Sequence, residues 1–227
     1  MELEKGMTTA IIGVGNLGSA LARHLVHGGE DVMLAARDGA HAEALAHELG
    51  PLARSASVSQ AIEESDTVVF AVWLGAAREL LSVADNKDRL RGKVVVDPTN
   101  PIKLRDDGTL QRSLPEGQSS GSVVAGLLPP DTHYVKAFGS LGAQSLAASS
   151  NRSPRRAVLF YATDDTQAAA SVERLISAAG FDAVRAGGLN DVARIEGPDG
   201  DLSQGGLNGA LLDVDEARAA VAAAPVA

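Results

Sequence analysis

The run Ile11-Ile12-Gly13-Val14-Gly15-Asn16-Leu17-Gly18-Ser19-Ala20-Leu21-Ala22 constrains this chain more than any other. An apolar segment enters a G-x-G-x-x-G turn and an amphipathic helix leaves it, so strand, tight loop and helix must follow without a break. Gly13 permits a sharp turn out of the strand, Gly15 lets the backbone approach a pyrophosphate, and Gly18 lets the helix pack on the sheet. Free N–H groups of the first helical turn then face the phosphates. Three glycines at this spacing are a weak signal alone. The strand before and the helix after make them a dinucleotide-binding motif rather than a glycine-rich turn of purely structural origin.

The rest of the chain repeats that alternation. Strands are expected at Thr9–Gly13, Asp31–Ala36, Thr67–Val72, Lys93–Asp97, His133–Phe138 and Arg156–Ala162, with a weaker one at Ala183–Ala186. Helices are expected at Asn16–His27, Ala40–Leu49, Val58–Glu64, Ala76–Asp85, Asp165–Ala179 and Asp213–Ala223. Runs such as Val68-Val69-Phe70-Ala71-Val72 and Val94-Val95-Val96 are apolar at every position, as strands covered on both faces must be. The pattern predicts an α/β fold: a Rossmann-like, doubly wound, mostly parallel sheet with helices on both faces. One dinucleotide-binding domain over residues 1–196, with a C-terminal elaboration over 197–227 that is not an independent domain, accounts for a chain of 227 residues. Two stretches read as irregular: Arg105–Ser122, either a mobile loop near a substrate or a solvated connection, and the glycine-rich tail from Glu196 to Asn208.

Composition narrows the chemistry. A net charge of −9 offers no basic patch for nucleic acid or an anionic membrane. The absence of cysteine removes disulfides, thiolate metal sites and cysteine nucleophiles, and suits a reducing cytosol. Met1–Gly6 is charged and does not read as a signal peptide, and no apolar run approaches the ~18 residues of a membrane span. A cytoplasmic protein is therefore expected. Among the histidines, His24 and His27 share a helix face without a third ligand, His41 and His47 lie on a helix expected to be solvated, and His133 reads as structural, so no metal site is expected. Lys136 has two readings, a proton donor near the cofactor or a strand lysine facing solvent. Ser19 is expected to bond within the first helical turn or to phosphate.

The second strand ends Ala35-Ala36-Arg37-Asp38. Small residues there leave room for a 2′-phosphate and Arg37 can pair with it, whereas an NAD-selective chain places a carboxylate at this point. NADP is the expected cofactor. The counter-readings are a solvated Arg37, and Asp38 brought to the ribose by a one-residue shift. Further contacts belong where strands end at the carboxyl edge of the sheet. Val72 and Trp73 end one strand, and Trp73 either covers the cofactor or fills a gap beside the next helix. Asn100, in the turn Asp97-Pro98-Thr99-Asn100-Pro101, either faces the nicotinamide ribose or is a plain turn residue.

The glycine turn, Ala36-Arg37, Gly92-Lys93-Val94-Val95-Val96-Asp97-Pro98-Thr99-Asn100-Pro101, Val135-Lys136-Ala137-Phe138-Gly139-Ser140-Leu141-Gly142-Ala143 and Leu189-Asn190-Asp191-Val192-Ala193-Arg194 follow one another in order. Together, over Thr9 to Glu196, they resemble the NADP oxidoreductases that use the deazaflavin coenzyme F420. The resemblance implies a homodimer in which NADP crosses the carboxyl edge of the sheet. Gly13, Gly15, Asn16, Leu17 and Gly18 would then hold the pyrophosphate and Arg37 the 2′-phosphate. Val72, Trp73, Asn100, Ala137 and Phe138 would approach the ring and ribose. It also implies direct hydride transfer between nicotinamide and deazaflavin, which needs no acid or base from the protein; no catalytic side chain is expected.

The chain departs from that family pattern twice. Gly139 stands where a polar Asn or His is common, and is expected to widen the pocket. The ending Gly197-Pro198-Asp199-Gly200-Asp201-Leu202-Ser203-Gln204-Gly205-Gly206-Leu207-Asn208-Gly209 replaces a plain apolar helix. Both bear on the small-molecule hydride acceptor or donor. Two alternatives therefore stand beside the deazaflavin reading: an NADPH-dependent reductase of a small imine, carbonyl or flavin, and a non-catalytic NADP-binding or redox-sensing protein.

Overall fold

Successive apolar residues in the strands send their side chains to opposite faces of one sheet, and both faces are covered. The computed structural model describes residues 7–223. From the glycine turn onward it alternates β1 (Thr8–Ile12), α1 (Asn16–His27), β2 (Asp31–Ala35), α2 (Gly39–Leu49), β3 (Ala53–Ser55), α3 (Val58–Glu64) and β4 (Thr67–Phe70). The second half adds α4 (Leu74–Ser82), α5 (Ala84–Asp88), β5 (Val94–Asp97), the hairpin β6 (Ile102–Leu104) and β7 (Leu110–Arg112), and α6 (Ser120–Leu127). It ends with β8 (His133–Ala137), α7 (Ala143–Ser149), β9 (Val158–Ala162), α8 (Thr166–Ala178), β10 (Asp182–Gly187), a 3-10 helix (Leu189–Ile195) and α9 (Val214–Ala222).

Eight strands form the main sheet in the order β10-β9-β8-β5-β4-β1-β2-β3. Those from β3 across to β8 are parallel, β9 is antiparallel to β8, and β10 runs parallel to β9. Strand order reverses between β1 and β4, the switch point where such sheets open a crevice at their carboxyl edge. Ile11, Leu34, Val69, Val96 and Val135 pack toward α1, α2, α7 and α8. Ala10, Ile12, Met33, Val68, Phe70 and Val95 pack the other way, toward Ile62, Leu74, Leu81 and Val124 of α3, α4 and α6. A third cluster joins Val158, Phe160, Val184, Val192 and Ile195 to Leu202 of the tail and Ala217 of α9. No helix among the described residues is long and apolar enough to cross a membrane.

The doubly wound, mostly parallel sheet follows the sequence reading, with local corrections. The helix expected over Ala76–Asp85 is two: the Ser82 hydroxyl donates to the Glu79 carbonyl, and Val83 at φ −81°, ψ 112° leaves the helical region before α5 begins. Arg105–Ser122 is not an irregular loop throughout. Residues 105–109 close the β6–β7 hairpin, with the Asp107 carboxylate accepting from Thr109 N at 2.9 Å, and the Ser119 hydroxyl caps α6. Strand β3, only three residues long, and helix α7, which starts at Gly142 without a capping side chain, were not legible either.

Candidate cofactor site at the carboxyl edge of the sheet

The glycine turn has two structural glycines and one that faces outward. At Gly13, φ is +102°, and an added Cβ would lie 2.4 Å from the Ala71 carbonyl oxygen and 2.7 Å from Val72 Cγ1. A Cβ on Gly18 would lie 1.9 Å from the Gly13 carbonyl oxygen, so α1 can reach the strand end only with glycine there. Gly15 differs: a Cβ on it would meet nothing within 4 Å. Its outward face opens at the start of α1, whose N-cap makes no side-chain hydrogen bond and whose first turn holds no acidic residue. The positive end of the helix dipole is thus left for an anion. Asn16 is exposed and Leu17 half-buried beside it, while the Ser19 hydroxyl donates to the Val14 carbonyl at 2.7 Å and so ties the turn together.

Arg37 follows β2 exposed, with no hydrogen-bond or ionic partner among the described residues. Asp38 is occupied as the N-cap of α2, its carboxylate accepting from Ala40 N at 3.1 Å, which weakens the reading that it serves a ribose. Trp73 is 51% exposed at the head of α4, so it is not the gap-filler that sequence left open. Val72 lies against Gly13 at the crevice between β4 and β1.

At the strand ends expected to face the nicotinamide the structure revises several expectations. Asn100 does not turn its amide wholly outward. Its Nδ2 donates to the Gly139 carbonyl at 2.9 Å and its Oδ1 accepts from Gly197 N at 2.8 Å, so it bridges two other chain segments. Ala137 and Phe138 are buried as whole residues, backbone included, so neither offers a surface to a ligand and both back the strand-end turn; Phe138 holds a φ of 62°, costly for a bulky residue. Gly139 does not widen a pocket: a Cβ there would sit 2.6 Å from the Pro98 carbonyl oxygen. The glycine lets two strand-end turns touch.

Lys136 is neither solvent-facing nor a free proton donor. It shares the α6 face of the sheet with Tyr134, one strand over from Asp97 in register, and is 1% exposed. Its ammonium lies 3.2 Å from Asp97 Oδ2, 3.3 Å from Glu196 Oε1 and 2.9 Å from Ser120 Oγ, and also donates to the Thr99 carbonyl. Burial, with Asp97 beside it, pushes the Tyr134 hydroxyl well above the usual phenol range, so it stays a donor to Asp97 at 2.8 Å. Sequence reading missed this cluster. Its one trace was a lysine in an otherwise apolar strand.

Residues 8–101, from β1 through the turn after β5, match the family described as NADP oxidoreductase, coenzyme F420-dependent. The F420-dependent NADP reductase of Methanothermobacter thermautotrophicus is 29% identical over 203 residues, which cover 84% of this chain and 85% of that protein. A hypothetical protein from Sinorhizobium meliloti superposes with a TM-score of 0.74 at 28% identity, covering 93% of this chain and 97% of that one. A putative F420-dependent NADP reductase from Arthrobacter, at 22% identity and a TM-score of 0.69 over 82% of this chain and 86% of that one, shares the fold. With its open glycine turn and its Rossmann-like sheet, the chain is similar over residues 8–101 to the coenzyme F420-dependent NADP oxidoreductase family, and over most of its length to a protein named an F420-dependent NADP reductase.

Proposed function

We propose that this protein is an NADP-dependent oxidoreductase that passes hydride between NADPH and the deazaflavin coenzyme F420. The observation that carries the reading is the pairing of an uncapped α1 N-terminus, where Gly15 leaves space for a pyrophosphate, with the unpartnered Arg37 at the end of β2. On this reading Gly13, Gly15, Asn16, Leu17 and Gly18 hold the pyrophosphate and Arg37 holds the 2′-phosphate. Val72, Trp73 and the turn at Asn100 border the nicotinamide, and the buried Ala137-Phe138 turn backs them. The bound cofactor supplies the hydride; the chain holds it, orients it and keeps water from the reacting face.

The deazaflavin is favoured over an imine or carbonyl acceptor by the state of the ionisable groups at these strand ends. Asp97, Lys136 and Glu196 are buried and bonded to one another, whereas imine or carbonyl reduction requires a proton to be delivered. Transfer between two carbons requires none. The family relatives named as F420-dependent NADP reductases support the same choice. The protein is further read as a cytoplasmic homodimer whose segment after Glu196 elaborates a single nucleotide-binding domain. Mixing the protein with NADPH and oxidised deazaflavin and following loss of the deazaflavin's visible absorbance tests the activity. Tight NADPH binding without turnover would remove the deazaflavin, and oxidation of NADPH by an imine, carbonyl or flavin panel would then replace it.

A further inference from the structure

The buried cluster around Lys136 draws together three segments far apart in sequence. From the end of β5 comes Asp97, whose Oδ1 accepts from Thr99 N at 2.8 Å. From β8 comes Lys136, bound to Asp97 and to the Thr99 carbonyl. At the start of the tail Glu196 accepts from Ser120 N at 3.0 Å, Gly121 N at 2.7 Å and Ser120 Oγ at 2.7 Å, which fastens it to the N-terminus of α6. Every carboxylate oxygen has a donor. Such buried ion pairs add little net stability over a well-packed apolar core, and their best-attested use is to fix geometry.

Directly along the chain, the same three segments meet a second time. Asn100, three residues after Asp97, bonds Gly139, three residues after Lys136, and Gly197, the residue after Glu196. The Pro98 carbonyl closes against Gly139 between the two layers, and Phe138 is held there at its positive φ. The turns bordering the nicotinamide are therefore set by a lower, charged layer and an upper, amide layer.

We propose that Lys136, Asp97 and Glu196 form a positioning unit that acts through Asn100 to hold the buried turns at 98–100 and 137–139 in place behind the nicotinamide. The proposal rests on the NADP reading above. It separates two properties of the site: affinity, anchored at the glycine turn and Arg37, and ring alignment, governed by the buried unit.

Glu196→Gln, close in shape to the native residue, tests it, with folding checked by circular dichroism. NADPH is the probe, titrated by the emission of its reduced nicotinamide, and turnover is measured with the deazaflavin. The variant is expected to bind NADPH within about threefold of wild type, while bound-state emission shifts toward that of free NADPH and kcat falls about tenfold or more, as a misplacement near 1 Å would produce. A folded Glu196→Gln protein with wild-type emission and kcat would overturn the proposal, as would loss of affinity in step with kcat. If that variant does not fold, Asn100→Ala, which cuts only the upper layer, must show the same split, and wild-type behaviour from it is equally decisive. Failure of the wild-type protein to bind NADPH is a different outcome: it removes the cofactor reading, and the positioning role falls with it.

Discussion

Two glycines of the same motif should respond in opposite ways to the same added methyl group. In Gly18→Ala the new Cβ would lie 1.9 Å from the Gly13 carbonyl oxygen, and a normal contact needs about 1.5 Å of retreat by α1. That retreat loosens Leu21 and Leu25, both fully buried against the sheet. Each is worth about 1.5–3 kcal/mol of burial, and a gap of 0.5–1 Å already forfeits about a quarter to a half of its packing. Alanine's helix preference returns about 1 kcal/mol. With overpacking of about 1–3 kcal/mol included, the net loss is about 1–5 kcal/mol, or roughly 2–20 °C in Tm for a domain of this size. In Gly15→Ala the Cβ meets nothing within 4 Å and the backbone, at φ −70°, suits any residue. The gain from a stiffer unfolded chain is offset by alanine's poorer fit at the N-cap, so its stability should stay within about 1 kcal/mol of wild type. NADPH affinity should nonetheless fall about tenfold or more, because the methyl group occupies the space assigned to the pyrophosphate. Thermal denaturation followed by circular dichroism, with NADPH titration of each variant, measures both quantities. If Gly15→Ala binds NADPH as wild type does, or loses as much stability as Gly18→Ala, the division of the motif into structural and ligand-facing glycines is wrong.

Arg37→Ala should weaken NADPH by about 10- to 150-fold, the loss of roughly 1.5–3 kcal/mol from a charge-assisted contact, and NADH by less than about threefold; equal losses would contradict its assignment to the 2′-phosphate. Gly139→Ala should lower stability by about 1–3 kcal/mol through its collision with the Pro98 carbonyl, so an unchanged Tm would restore the idea that this glycine borders open space. Burial holds the His24 imidazole below its ordinary pKa, although its Nε2 bonds the Leu146 carbonyl at 3.1 Å. The unfolded chain therefore takes up the proton first, and this contribution to stability is complete above about pH 6.5 and declines as the pH falls below it. His24→Gln should flatten the dependence of Tm on pH in that range, and an identical slope in both proteins would assign it to other groups.

The first half of the fold was legible because its signals are local. Helices Asn16–His27 and Val58–Glu64 begin and end where periodicity and capping residues place them, the latter with the Ser57 hydroxyl on Gln60 N. The motif glycines were legible for the same reason, since turn, strand and helix adjoin in sequence. Strand β3 was not, because three residues carry no period of their own, and helix α7 was not, because Gly142 gives its start no capping side chain where the equally short Val58–Glu64 has Ser57. The strand ends proposed to face the nicotinamide were the least legible. Asn100 and Gly139 looked like a ligand contact and an open pocket, and both are engaged in holding strand ends together.

Sequence alone determined the α/β alternation, the glycine turn between β1 and α1 and the basic residue that follows the second strand, because each depends on residues within one turn or one strand of each other. Only the tertiary structure decided what surrounds the turns at Asn100 and Gly139. Asp97, Lys136 and Glu196 are separated by 39 and 60 positions, and no local pattern relates them. They meet because β5 and β8 are neighbours in the sheet and the tail returns across α6, where charges removed from water must find one another.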